Sequence, residues 1–498
     1  MARMLDPQAR TTHFQEVARP ITKEDAIAEA NRCLLCEDAP CQAGCPTGVQ
    51  VRDFIRRIKF EDFAGAYYTI LEHNLLPAAT ARVCDTGHQC AKHCTRAKID
   101  SPIRIGDLQR FVSDEARRLD LDAPVVTATR DARVAVVGAG PAGLSCAGEL
   151  ARLGYAVEVF EAAAEAGGTI RYGVPEFRLP GEVVAFEVGQ VEKLGVRIHR
   201  NKGASTAGRS VDALLSDGYR SVFLGLGLQK DRPMGIPGED LAGVWSSRDF
   251  LRAARSGASF DLGSDVVVIG GGDTAIDCAT VARRLTKGNV TIVYRRGDRA
   301  MPAQLDEVLM AREEGVDFRT FHAPVRIEGA ARAERLWVRP ARMPSDSTEA
   351  RPRPIAIEGH DYPIPATTVI SAVGTQVDTE SIKAFGLEMD GGRVKRDEWM
   401  ESTRAGVFVG GDLSADTYTV VHAIAQGRRA AEGIPASSAA SSPISLRPTA
   451  SACPRGSTSR PSAAAFTSRT PSSWRPPRPR MSSTWCATPS ARAGPARS

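Results

Sequence analysis

The sequence predicts an α/β chain: a small all-helical N-terminal domain, then two Rossmann-like nucleotide-binding domains, the second inserted into the first. Three observations predict it. Seven of the eleven cysteines fall between Cys33 and Cys94, amid helical periodicity. A strand, a glycine turn and a helix occur at Arg133–Gly143 and again at Asp265–Ala275. The chain then returns through Thr368–Gly374 to a strand that ends in Gly410-Gly411-Asp412, the closing half of a split domain.

At 498 residues the chain has room for two to four domains and ample core. The boundaries read as 1–122, 131–255, 256–366, 367–434 and a tail at 435–498. The longest apolar runs, such as Val134–Val137 and Val266–Ile269, are strand-sized, well short of the roughly 20 residues a membrane helix needs. Met1–Arg10 has no apolar core of a signal peptide, so a cytoplasmic, reducing location is expected. The net charge of +5 is misleading. Nine Arg and no Lys, Asp or Glu lie in 437–498, so the remainder is net acidic and nucleic-acid binding is not expected.

A helix is predicted over 22–35, capped by Thr22, with Glu24 and Asp25 in its first turn. It delivers Cys33 and Cys36. Cys41, Cys45 and Pro46 follow on a Pro- and Gly-rich loop, and Cys84, Cys90 and Cys94 form a second group. Thiolates so spaced suit iron–sulfur clusters, and Pro after the last Cys of a run is a ferredoxin-like feature. Zinc and structural disulfides are the competing readings. Residues 50–75 read as helix, with Phe54, Ile55, Ile58, Phe63, Tyr67, Ile70 and Leu71 on one face. A third helix is predicted from Ile105 to Leu119, then a linker at Asp122–Arg130.

In Gly138-Ala139-Gly140-Pro141-Ala142-Gly143 the glycines permit a tight turn and bring a pyrophosphate to a helix N-terminus. The next strand, Ala156–Phe160, ends at Glu161, placed to accept ribose hydroxyls, which suits the ADP half of FAD. The second turn is Gly270-Gly271-Gly272-Asp273-Thr274-Ala275, and its following strand, Val290–Tyr294, ends in Arg295-Arg296. An acid there would repel a 2′-phosphate, whereas guanidiniums bind one, so NADP(H) is favoured over NAD(H). Asp412 is placed beside backbone N–H groups near the flavin ribityl chain. Gly168, Gly374 and Gly411 are further candidate cofactor contacts.

Cys146 and Cys278 read as packing residues. His88 and His93 flank cluster cysteines as solvated loop residues. No Ser/His/Asp set or carboxylate pair asks for acid–base work, and hydride transfer between nicotinamide and flavin needs ring alignment, so no catalytic side chain is expected. A last helix is predicted over Thr419–Gly433. Beyond it the composition collapses to Ala, Ser, Pro, Thr and Arg, as in a disordered segment or a frameshift product.

Cysteine domain, first glycine turn, Gly-Gly-Gly-Asp-Thr-Ala turn and terminal Gly-Gly-Asp, in this order over 15–434, resemble the electron-input module shared by the glutamate synthase small subunit and dihydropyrimidine dehydrogenase. Asn31–Cys36, Ala81–Cys84, Ile105–Phe111 and Phe177–Pro180 are most similar to the separate NAD(P)H-oxidising subunit of bacterial dihydropyrimidine dehydrogenase. The resemblance implies FAD and two [4Fe–4S] clusters. It implies that Cys33, Cys36, Cys41 and Cys94 hold one, and Cys45, Cys84, Cys90 and Gln109 the other. It implies that Arg178 touches flavin. Gln109, where glutamate synthases usually carry Glu, and Asp85, where they usually carry Pro, lean toward the pyrimidine branch. The partner so implied is an FMN-containing subunit that reduces uracil or thymine, in a hetero-oligomer. The alternative is the large subunit of glutamate synthase.

Overall fold

Helix breaks shape the cysteine domain. The computed structural model describes residues 4–124, 129–203, 210–345, 349 and 352–437. These lie in the unit Met1–Ser441, while the second unit, Ser442–Ser498, falls outside them, as does the expectation about the tail. The first long helix is Lys23–Asn31, with the Asp25 amide donating to Thr22 Oγ1 at 3.1 Å. It stops short of residue 35, so Cys33 and Cys36 sit on a loop, where Leu35 is left-handed at φ +50°. The single helix expected over 50–75 is two, Val51–Lys59 and Phe63–Leu71. Glu61 turns left-handed (φ +58°), and the Asp62 carboxylate caps the second helix by accepting from the Gly65 amide at 2.9 Å. The predicted face survives the break: Phe54, Ile55, Ile58, Tyr67, Ile70 and Leu71 are buried in one core. Helices Pro77–Val83 and Ile105–Arg118 complete the domain.

The first Rossmann sheet is parallel, in the order Val407–Val409, Tyr219–Leu224, Arg133–Val137, Ala156–Phe160, Arg197–His199. Its edge strand thus arrives from the far end of the chain. The second sheet is also parallel: Val244–Ser246, Thr368–Ser371, Asp265–Ile269, Asn289–Tyr294, Asp317–Thr320. Both flanking strands, Val244–Ser246 and Thr368–Ser371, belong to this second sheet. The boundaries read at 255/256 and 366/367 therefore move outward, toward the antiparallel crossing of Lys230–Asp231 with Thr375–Gln376. A four-stranded antiparallel sheet, His322–Glu328, Arg335–Arg342, Ile355–Ala356 and Tyr362–Pro365, covers the second domain and was not foreseen. Arg and Pro interrupt the apolar alternation of its strands. The last helix is Val420–Ser437, slightly longer than predicted. Among the described residues no helix is long and apolar enough to cross a membrane.

Candidate functional site

The seven N-terminal cysteines are all partly buried, on the loops and helix ends of the first domain. Cys33, Cys36, Cys41 and Cys94 line one pocket together with Ile55, Ile103, Ile105, Arg52 and Arg96. The Ile103 amide points at Cys94 Sγ from 3.5 Å, the backbone-to-sulfur donation that tunes a cluster. Cys45, Cys84 and Cys90 form the other group. Burial pushes Cys90 up to about 12 and Cys84 well above its ordinary range, with Cys45 the next cause for both. Cys41 is pushed up to about 11 by burial, then by Cys94 and Cys33. None of the described cysteines is in a disulfide. Among the described residues no three His, Cys, Asp or Glu converge as a single-ion site. Four thiols lining one pocket supply the ligand type and number that a [4Fe–4S] cluster takes.

Gln109, on Ile105–Arg118, is brought beside the helix that ends at Cys84. Its Nε2 donates to the Pro77 carbonyl at 2.8 Å and to Thr80 Oγ1 at 2.9 Å. Both amide N–H bonds are thus engaged, which leaves Oε1 as the atom able to meet a metal. Thr80 is held in turn by Asn74 Nδ2 at 2.8 Å. The first turn of the same helix is capped from the neighbouring domain. Buried Glu187, on Gly181–Lys193, accepts from the Ala78 and Ala79 amides at 2.5 and 3.1 Å. Burial pushes its carboxyl up to about 8 against the pull of those two N–H groups. Arg82 is buried between Glu16 and Asp114, at 2.8 Å from each. The sequence carries no motif for Asn74, Thr80, Arg82 or Glu187. Of these, only Thr80 and Arg82 stand close to Cys84 in the sequence. His88 is an exposed loop residue whose Nδ1 lies 2.5 Å from Asp85 Oδ2.

The first glycine turn closes against its own helix. A Cβ on Gly143 would lie 1.9 Å from the Gly138 carbonyl, and Gly138 itself is left-handed at φ +99°. Pro141 and Ala142 open the helix Pro141–Arg152. Glu161 braces the turn: Oε2 accepts from the Ala139 amide and Oε1 from the Ala163 amide, both at 2.7 Å. Gly168 seats against Gly140, where a Cβ would come within 2.8 Å of the Gly140 Cα. Gly411 abuts Ala142, so the terminal Gly-Gly-Asp meets the first turn. Burial alone pushes Asp412 up to about 6. Ser414 Oγ and Gln426 Oε1, from the same end of the chain, are buried with no hydrogen-bond partner. A glycine cradle with unsatisfied polar atoms beside it fits the pyrophosphate-bearing half of a dinucleotide.

In the second turn, a Cβ on Gly270 would meet the Ala372 carbonyl at 2.5 Å, and one on Gly271 the Tyr294 ring at 2.5 Å. Gly272 precedes the helix Asp273–Leu285, with Thr274 exposed and Ala275 buried. Asp273 Oδ1 accepts from the Gln304 amide at 2.8 Å. The paired guanidiniums expected after the second strand are separated. Arg295 is exposed, while Arg296 is buried and donates from Nε to the Pro352 carbonyl at 3.3 Å. Gly374 is left-handed at φ +109°, and its carbonyl accepts from the Arg232 amide at 3.0 Å, at the crossing between domains. Arg178, expected to touch flavin, reaches the second domain. Its guanidinium is gripped by Asp277 Oδ1 at 2.6 Å and Glu307 Oε1 at 2.9 Å, both on the second domain.

Comparison with known proteins follows this division. Residues 10–121 match the family described as dihydropyrimidine dehydrogenase domain II, 4Fe-4S cluster, and residues 132–427 match pyridine nucleotide-disulphide oxidoreductase. The chain is 35% identical over 451 residues to the glutamate synthase [NADPH] small chain of Halomonas elongata, covering 86% of this chain and 94% of that one. It is 34% identical over 423 residues to the NAD-dependent dihydropyrimidine dehydrogenase subunit PreT of Escherichia coli, covering 85% and 96%. The solved structure of Mycobacterium tuberculosis FprA in complex with NADPH shares the two-domain fold, with TM-score 0.53 and 21% identity over 62% of this chain and 84% of that one.

Proposed function

The chain belongs to the pyridine nucleotide-disulphide oxidoreductase family, fused to a dihydropyrimidine dehydrogenase-type 4Fe-4S domain, and from that premise we propose that it is the electron-input subunit of a pyrimidine-reducing enzyme. It is an NAD(P)H-dependent FAD and 4Fe-4S oxidoreductase of the electron-transfer subunit type. The finer reading concerns where the electrons go. When bound, FAD takes two electrons as hydride from NAD(P)H and the clusters carry them onward singly.

Gly138–Gly143, Glu161 and Asp412 would hold FAD, and Gly270–Ala275 the nicotinamide dinucleotide, with Arg295 toward a 2′-phosphate. Cys33, Cys36, Cys41 and Cys94 would hold one cluster. Cys45, Cys84, Cys90 and Gln109 would hold a second. Gln109 is the observation that carries the pyrimidine branch. Seven cysteines leave one ligand place open, and an amide with both N–H bonds engaged offers oxygen to it. The partner in this reading bears FMN and reduces uracil or thymine to the 5,6-dihydro base. A glutamate synthase role is the second reading, favoured by the 35% identity to a small chain of that enzyme.

The test is made anaerobically on the chain copurified with its native partner. NADPH and NADH oxidation is followed on adding uracil or thymine, and separately glutamine with 2-oxoglutarate. Pyrimidine-dependent oxidation is expected. Oxidation with the second pair alone overturns the pyrimidine assignment and moves the chain to the glutamate synthase branch.

A further inference from the structure

A short segment ties the two nucleotide sites together. It starts on the first glycine turn, where the Gly167 amide donates to the Ala139 carbonyl at 2.8 Å and Gly168 abuts Gly140. Ten residues later it ends inside the second domain. Phe177 is fully buried in the core that also holds Phe250, Ile276 and Ala279 of that domain. The next residue, Arg178, binds Asp277 at 2.6 Å and Glu307 at 2.9 Å. Asp277 stands one helical turn beyond Asp273, on the helix that the second glycine turn opens.

The grip is made from several sides. The Arg284 guanidinium lies 3.7 Å over the Phe177 ring and pairs with Glu314 at 2.6 Å, with both side chains fully buried. From the N-terminus, Arg10 reaches Glu313 at 2.6 Å and Glu314 at 3.5 Å, and the Val17 amide donates to the Phe177 carbonyl at 3.0 Å. In the reverse direction Arg255 of the second domain donates to the Arg171 carbonyl at 2.8 Å and the Leu179 carbonyl at 3.1 Å. Charges so buried are costly unless paired, and removing one partner strands the other.

We propose that Arg178 is a positioning residue for hydride transfer: it locks the helix of the second glycine turn to the loop of the first, so that nicotinamide and flavin are registered before the nucleotide arrives. The proposal rests on the assignment of flavin to the first turn and nicotinamide to the second. Ring-to-ring transfer is steep in distance, with about 100-fold lost for a displacement near 1 Å. A lock at the base of both turns is therefore worth more to rate than to affinity.

Two variants cut the same bond from opposite sides: Arg178→Gln and Asp277→Asn, with Arg178→Lys as the conservative control. The full chain is purified anaerobically and mixed with NADPH in stopped flow, with hydrogen exchange followed over 171–180 and 273–285. Both cutting variants are expected to keep FAD and iron content. Each should lower the limiting rate of flavin reduction by about 10- to 100-fold with KM moved by less than about 3-fold, and speed exchange in both segments. Arg178→Lys should recover part of the rate. An unchanged limiting rate in both variants overturns the proposal. So does loss of flavin in Arg178→Gln with a normal Asp277→Asn, which returns Arg178 to flavin contact. If the unmodified chain shows no NADPH-driven flavin reduction, the parent assignment fails instead.

Discussion

Replacing Glu187 by Ala tests whether the flavin domain braces the second cysteine group. Its carboxyl oxygens accept from the Ala78 and Ala79 amides, at the start of the helix that ends at Cys84. The site is fully buried, so bulk water does not reach the two amides. Each stranded buried donor costs about 1–3 kcal/mol, so the pair sums to about 4 kcal/mol. The assay is anaerobic urea unfolding followed by cluster absorbance, with iron and sulfide counted per chain. A shift under about 1 kcal/mol would refute the reasoning, because two buried N–H groups cannot lose their acceptor so cheaply. The same residue sets a pH dependence. Burial raises the folded carboxyl from 4.5 to about 8. The protonated form is therefore the favoured one in the fold, and its full contribution is present below about pH 4.5. That contribution falls as pH rises through about 8. Glu187→Gln cannot ionise but leaves one donor opposed by its own NH₂. Its stability should start lower and stay flat, and the two curves should converge as pH rises. Parallel curves would remove Glu187 from the pH dependence.

Three further predictions follow from the site. Thr80→Val removes the hydroxyl that accepts from Gln109 and Asn74, and should weaken iron retention about 10- to 100-fold while Thr80→Ser keeps it; equal iron content in both would show that this hydroxyl does not hold Gln109. Gly143→Ala puts a methyl 1.9 Å from the Gly138 carbonyl and should abolish FAD uptake with the clusters retained, read by flavin and iron content. Arg295→Ala should raise the NADPH KM about 10-fold or more and leave NADH untouched, the loss of one charge-assisted contact. Equal effects on both nucleotides would dismiss the 2′-phosphate role.

What was legible in the sequence was whatever spacing or steric necessity writes locally. Both glycine turns were, because the close contacts at Gly143 and Gly270 admit no other residue. The apolar face over Phe54–Leu71 was read, but not the break within it, because Glu61 and Asp62 carry no breaker's composition and only the Gly65 amide shows that Asp62 caps. Residues whose partners lie far along the chain were invisible. Arg10 reads as a solvated terminal charge yet is 1% exposed, bound 303 residues away. Glu187 reads as one helix carboxylate among several. Arg178 stands out only by resemblance, and its partners Asp277 and Glu307 lie far along the chain. The spread of Arg295 and Arg296 was also hidden, since adjacent residues at a strand end point to opposite faces.

The insertion has a consequence for biosynthesis. Tyr219–Leu224 of the flavin sheet waits for its outer neighbour, Val407–Val409, and the helix Pro141–Arg152 waits for its cover, Val420–Ser437. Ser145 Oγ, for instance, donates to the Ile424 carbonyl only when that last helix is in place. On the ribosome the second Rossmann unit is therefore complete while the first still shows an open sheet edge and a bare helix face. With domains folding as units during synthesis, the nicotinamide domain matures first and the flavin domain last. A ribosome stalled short of residue 407 would present a nascent chain unable to retain FAD, and chaperone demand should peak in that window.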